Sequence, residues 1–267
     1  MPFDLARRLS LSFLTALAMC ALVLQVLPAC AAEGPPSLRI AAAANLHFAM
    51  DQIIAAYRKS HPVTDVEPIY GASGNLTVQI QQGAPFDIFF AADTDFPQTL
   101  VASGDAAGAP RLYAVGKLVA WSSTIDLKGK TLSDLAQPRF RHIAIARPET
   151  APYGKRAQQA LTAAGIWDRV KPRLVFGIDI GQAAQFARTG NAEVALLAKS
   201  IALDPSMGKG SLLDVPQSTY EPLQQSFVIT KHGAGNASAK DFADYASGRG
   251  ARIILSRYGF GLPGKAQ

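Results

Sequence analysis

Apolar positions along the chain follow two periods. Residues 38–43, Leu-Arg-Ile-Ala-Ala-Ala, form a short apolar run; directly after it Leu46, Met50, Ile53, Ile54 and Tyr57 recur three or four positions apart. The run has the length of a buried strand, and the spacing lines one face of a helix. Asn45 stands where the N-cap of that helix belongs. Residues 63–70 read as a second strand broken at Pro68, and Gly71-Ala72-Ser73-Gly74-Asn75 as a turn into a helix carrying Leu76 and Ile80. Residues 87–91, Asp-Ile-Phe-Phe-Ala, predict a buried strand, with Asp93 or Thr94 capping the next helix. Three strand–helix units in succession predict a mostly parallel sheet with helices on its faces.

A second block repeats the alternation. Strands are expected at 117–121, 142–146, 173–176 and 193–197. Helices are expected at 131–135, 154–164 and 181–188, the last two closed by Gly165 and Gly190. A strand at 226–230 and helices at 239–246 and 251–258 complete the chain. No long Pro/Ser-rich linker separates the blocks, so the pattern predicts two lobes joined by short crossings near 113–117 and 222–227. The first lobe is expected to take residues 32–114 and 226–267, the second 115–225.

Residues 1–31 carry a different pattern. Arg7 and Arg8 precede an apolar run from Leu9 to Leu27, and Pro28-Ala29-Cys30-Ala31 ends it in small residues. This is the make-up of a secretory signal peptide cut after Ala31 or Ala32. An uncleaved membrane anchor and a lipid anchor at Cys30 are the alternatives. Cys20 and Cys30, the two cysteines of the 267-residue chain, both fall in this segment. The exported protein would then hold no disulfide and no thiolate, which suits an oxidising periplasm. No other apolar run is long enough to cross a membrane.

Composition narrows the partners slightly. Hydrophobic residues make up 49% and the formal net charge is +6. Losing Arg7, Arg8 and Asp4 with the leader leaves 24 basic and 19 acidic residues. These charges are scattered along the chain, so no nucleic-acid surface is expected.

Catalytic patterns are weak. His47, His61, His142 and His232 sit in no metal-binding frame. Gly208-Lys209-Gly210 lacks the other residues of a phosphate loop. Ser206-Met207-Gly208-Lys209 matches S-x-x-K, the nucleophile box of penicillin-recognising enzymes, without an accompanying K-T-G or S-D-N.

Polar residues at helix entrances form the stronger signal. Asn45, Ser73, Tyr153 and the Ile180-Gly181 peptide each stand where a strand or loop turns into a helix. Helix N-termini expose unpaired N–H groups and the positive end of a dipole. Several of them meeting in a cleft make an anion site without a full positive charge. Each residue alone reads as an ordinary cap or turn; their recurrence in both halves favours the joint reading. Asp179 would repel an anion, and is expected to turn away and cap the helix starting near Gly181.

Five stretches carry a family resemblance. They are Ala41-Ala42-Ala43-Ala44-Asn45-Leu46, Gly71-Ala72-Ser73-Gly74, the run from Gly83 to Asp93 (GAPFDIFFAAD), Ala151-Pro152-Tyr153-Gly154 and Arg257-Tyr258-Gly259-Phe260. In order and spacing the chain resembles the periplasmic molybdate-binding proteins of ABC importers. The resemblance implies an α/β fold, a two-lobed type II periplasmic solute-binding protein with its ligand cleft between the lobes. It implies molybdate or tungstate as ligand, bound by neutral donors with no direct ligation of the metal, and no cofactor or enzymatic activity. It also implies delivery to an ABC permease in the inner membrane by a monomer. The site it implies comprises Ala44 and Asn45, where relatives place Ser or Thr before Asn, then Ser73 with the Gly74 amide, Tyr153, and the Ile180 amide. One branch supplies a Tyr shortly after the strand ending at Leu197. Ala198 stands there in this chain, which leaves Tyr153 to furnish the hydroxyl. The competing readings are a sulfate- or ferric-binding protein of the same fold, a hydrolase using Ser206 and Lys209, and a ligand-sensing regulator; the last needs a DNA-binding segment at one end.

Overall fold

The computed structural model describes residues 37–264; the leader, its cleavage site and Cys30 lie outside them. The first apolar run becomes strand β1 (Ser37–Ala43), followed by a 3₁₀ turn over Ala44–Leu46 and helix α1 (His47–Ser60). Next come β2 (Asp65–Gly71), α2 (Ser73–Gln81), β3 (Ile88–Phe90) and α3 (Asp95–Ser103). Strands β4 (Arg111–Gly116) and β5 (Leu118–Ser122) follow, then β6 (Ile143–Ala146) and α4 (Pro152–Ala163). After these lie α5 (Trp167–Val170), β7 (Leu174–Gly177), α6 (Ile180–Arg188), β8 (Val194–Ala198), α7 (Lys199–Ala202) and β9 (Ser211–Asp214). The chain closes with β10 (Leu223–Ile229), α8 (Ala237–Ser247) and α9 (Arg249–Arg257).

Two five-stranded sheets result, in the orders β2-β1-β3-β10-β4 and β7-β6-β8-β5-β9. They share one plan: three parallel strands, then one antiparallel to both its neighbours, then a fifth. Parallel and antiparallel pairings are equal in number, yet four of the five strands in each sheet run the same way, so the sheets are mixed and mostly parallel in strand direction, as the sequence predicts. The antiparallel members, β10 and β5, are the strands through which the chain changes sheets, and they enter against the direction of the βαβ units.

The crossings lie beside the positions that the sequence predicts, the first shorter and the second longer. Strands β4 and β10 pair with each other from Leu223–Gly116 to Phe227–Arg111, all within the first sheet. Boundaries at 115 and 225 fall inside that ladder. The chain instead crosses at Lys117 and between Asp214 and Leu223. Pro68 does not break β2, because β2 is an edge strand and its missing N–H can face outward. Strand β9, at the edge of the second sheet, is too short and irregular in sequence to have been read.

Each sheet has its own core. In the first, Leu38, Ile40, Met50 and Ile53 of β1 and α1 pack with Phe90, Phe227 and Phe242, all buried. Burying an aliphatic side chain of this size contributes about 1.5–3 kcal/mol. In the second, Ile143, Ile145, Leu196 and Leu197 are completely enclosed with Ala157 and Leu161 of α4. These buried runs are rigid, and the loops leaving the C-terminal ends of their parallel strands hold the candidate site.

Candidate functional site

In open α/β sheets, ligands settle beyond the carboxyl ends of the strands where the winding direction reverses. Here both sheets reverse, around β1 and around β6, and the two reversal points face one tight crevice with a cavity volume of only about 10 Å³. Ala44, Asn45 and Ser73 of the first sheet line it against Tyr153 and Ile180 of the second; no residue of the lining carries a formal charge.

The local sequence explains each placement. Ser73 opens α2 and is 1% exposed. Its Oγ accepts a hydrogen bond from the Ala92 N–H (3.0 Å). With that lone pair filled, the hydroxyl proton is free to point into the crevice. The run GAPFDIFFAAD serves this contact as scaffold. Asp87 accepts the Arg39 N–H (2.7 Å) and the Asn236 side-chain amide (3.0 Å), tying β3 to β1. Asp93 Oδ1 accepts the Phe96 N–H (3.2 Å) and caps α3.

Tyr153 is the second residue of α4. Pro152 takes the first helical position, where a missing N–H costs nothing. Gly154 lets the helix start press on β6: a Cβ there would lie 2.2 Å from the Ala146 carbonyl oxygen. Tyr153 is 2% exposed, and burial pushes its phenol well above the ordinary tyrosine range, against the pull of hydrogen bonds from Gln225 and Asn45. The phenol stays protonated, a neutral donor.

Ile180 is the first residue of α6, so its amide has no partner within the helix. Asp179 turns away as expected: its Oδ1 accepts the Gln182 N–H (2.9 Å). Ala44 brings only backbone and a methyl group, and Ala198 is fully buried at the end of β8.

Two expectations are corrected. Asn45 is no helix cap; it lies inside the 3₁₀ turn, which delays the helix to His47. Its Nδ2 donates to Gln225 Oε1 (3.1 Å), while its Oδ1 finds no partner among the described residues. Gly74 is absent from the lining, and its N–H donates to the Thr150 carbonyl (2.9 Å). That amide links the two sheets' loops and is not free for a ligand.

The sequence reading missed Gln225. It is fully buried in β10, 180 positions from Asn45, and also meets Tyr113 and Tyr153. Within the strand sequence LQQSFVI nothing sets Gln225 apart from its polar neighbours Gln224 and Ser226, so the sequence offered no clear signal.

The catalytic alternative finds no support in geometry. Ser206 and Lys209 are both exposed, and Gly208 between them has a φ of +75°, so the pair lies on an open surface turn and not in an enclosed site. Among the described residues no three His, Cys, Asp or Glu side chains converge to hold a metal.

The family model for bacterial extracellular solute-binding proteins matches residues 38–261. The molybdate-binding protein ModA of Azotobacter vinelandii is 40% identical over 241 residues, covering 88% of this chain and 93% of the relative. That of Rhodobacter capsulatus is 38% identical, over 88% and 90% of the two chains. The solved structure of the Azotobacter vinelandii periplasmic molybdate-binding protein superposes with a TM-score of 0.79 at 34% identity, over 85% of this chain and the whole of that one. The chain belongs to the bacterial extracellular solute-binding proteins and, within them, to the ModA family.

Proposed function

We propose that this protein binds molybdate in the crevice between its lobes and delivers it to an ABC permease. The observation that carries this reading is the pair of buried hydroxyls, Ser73 and Tyr153, one from each lobe. Each has an acceptor position filled by a protein N–H, from Ala92 and Gln225 respectively, and so each has a proton to give. With the Ile180 amide they offer donors from both sides to one small ligand. The names and structure of the relatives support molybdate as that ligand.

The chemistry fits an oxyanion that carries no proton. No carboxylate lines the crevice to demand one, and no cation lines it to neutralise the ligand. Charge-assisted hydrogen bonds of roughly 1.5–3 kcal/mol each bind the dianion, and burial strengthens them. Tungstate, of the same charge and nearly the same size, is bound as well. The ligand is cargo, and the protein is a transport component and not an enzyme.

Delivery follows from closure. Gly74 bonds to Thr150, and Ser200 Oγ donates to the Asn45 carbonyl (2.8 Å), so both sides of the crevice are held together. A ligand that bonds to both lobes favours this closed form by its differential affinity for it, and the permease reads the closed form. The leader pattern of residues 1–31 supports export to the periplasm, and on this reading the protein acts there as a monomer beside an inner-membrane permease. No helix among the described residues is long and apolar enough to cross a membrane.

A thermal-unfolding panel tests the reading. Molybdate and tungstate at about a thousand times Kd are expected to add roughly 4 kcal/mol of stability. Sulfate, phosphate and chromate at the same concentration are expected to add far less. Equal shifts across the panel would overturn the assignment.

A further inference from the structure

Resting on that reading, we propose that Gln225 is a positioning residue of the crevice, which aims the hydroxyl proton of Tyr153 at the ligand and ties it to the strands that join the lobes. Gln225 lies on β10, the strand by which the chain returns to the first sheet, at the point where its register against β4 shifts between Gln225 and Ser226. An irregularity of this kind re-aims a side chain. Here the carboxamide enters the interior, where no part of it is exposed, and meets three polar side chains.

Its two ends do different work. Oε1 accepts from Asn45 Nδ2 (3.1 Å) and lies 2.7 Å from Tyr113 Oη, whose single proton it shares with the Ala91 carbonyl (2.9 Å); these contacts hold it from the first lobe. Nε2 donates to Tyr153 Oη (3.2 Å), on the second lobe. A phenol that accepts from an amide N–H directs its own proton elsewhere. Without Gln225 the same proton could turn inward, and the ligand would lose a donor while keeping every atom of Tyr153.

The space around the contact is built for it. Gly116, the last residue of β4, faces both partners: a Cβ there would lie 2.3 Å from Tyr153 Oη and 2.6 Å from Gln225 Nε2. Both joining strands therefore meet at one amide–phenol contact that spans the lobes. Separating the lobes takes Tyr153 from Gln225, so the proton is aimed only in the closed form.

The test is a double-mutant cycle on the intact protein, read as molybdate Kd by calorimetry, with circular dichroism and ligand-free Tm as checks of folding. Gln225→Met keeps the length of the side chain and removes its hydrogen bonds; at least a tenfold rise in Kd is expected. In a Tyr153→Phe background the same change is expected to cost less than about threefold, because the proton it aims is already gone. Gly116→Ala, which wedges the contact apart from the other strand, is expected to match Gln225→Met. If Gln225→Met leaves Kd unchanged, or if its cost is the same in the Tyr153→Phe background, Gln225 does not act through Tyr153 and the proposal falls. In that event the molybdate reading stands as long as the wild-type protein binds and Tyr153→Phe weakens it. A wild-type protein that fails to bind molybdate overturns both.

Discussion

The amide of Gly74 and the carbonyl of Thr150 meet at 2.9 Å across the mouth of the crevice, joining the start of α2 to the loop before α4. A side chain at Gly74 would press on this contact, since a Cβ there lies 3.0 Å from both the Thr150 oxygen and Phe96 Cζ. Gly74→Ala is therefore expected to hold the lobes slightly apart. The measurable result is weaker molybdate binding, by about tenfold, with ligand-free thermal stability lowered by no more than about 1 kcal/mol. Unchanged affinity would mean that closure does not depend on this bond.

Ser73 offers a cleaner loss. Ser73→Ala removes one charge-assisted donor and leaves the Ala92 N–H without its acceptor. The first effect costs roughly 1.5–3 kcal/mol of binding, or between ten- and about a hundredfold in Kd. The second costs about 1–3 kcal/mol of folding stability. Titration calorimetry and urea unfolding on the same preparation separate the two. A variant that binds molybdate like the wild type would remove Ser73 from the site.

These residues show what was legible in the sequence. Ser73, Tyr153 and Ile180 stand where a strand pattern gives way to a helix pattern, and that junction places them at the crevice without knowledge of any distant contact. Asn45 and Gly74 were placed correctly along the chain but given the wrong partners. The 3₁₀ turn that withdraws Asn45 from the helix cap and the carbonyl that takes the Gly74 amide are both consequences of tertiary packing. Gln225 was illegible for the same reason in stronger form. Its meaning lies in a register shift of one strand and in side chains 72 to 180 positions away. The lobe boundaries erred by two or three residues because apolar periodicity cannot say which of two sheets a joining strand pairs with.

Gly154 tests the packing that sets Tyr153 in place. The start of α4 lies so close to β6 that a Cβ at Gly154 would sit 2.2 Å from backbone oxygen, which no side-chain rotation relieves. Gly154→Ala is expected to destabilise the fold by about 3 kcal/mol, at the upper end of ordinary overpacking. Molybdate binding is expected to fall with it, because the helix must withdraw and take the phenol along. Full retention of both stability and affinity would show that α4 does not bear on β6 as closely as described.

Asp93 links stability to pH, with a sign opposite to that of most carboxylates. It is buried beside the crevice-lining Ala92, and burial pushes its carboxyl up to about 6 from an ordinary 3.8. The Phe96 N–H, Arg156 and Lys155 pull it down and Asp95 adds to the rise; burial outweighs them. The folded protein thus holds this proton to higher pH than the unfolded chain does. Its carboxyl imposes no penalty below pH 4, and an increasing one as pH rises through about 6, where the buried group must ionise. A shift of this size corresponds to at most about 3 kcal/mol at pH 7.5. Asp93→Asn keeps an oxygen to accept from Phe96 and removes the charge. The variant is expected to be more stable than the wild type by about 1–3 kcal/mol at pH 7.5 and no different at pH 4, as measured by urea unfolding at both pH values. A difference of the same size at both would place the effect in packing and not in the buried charge.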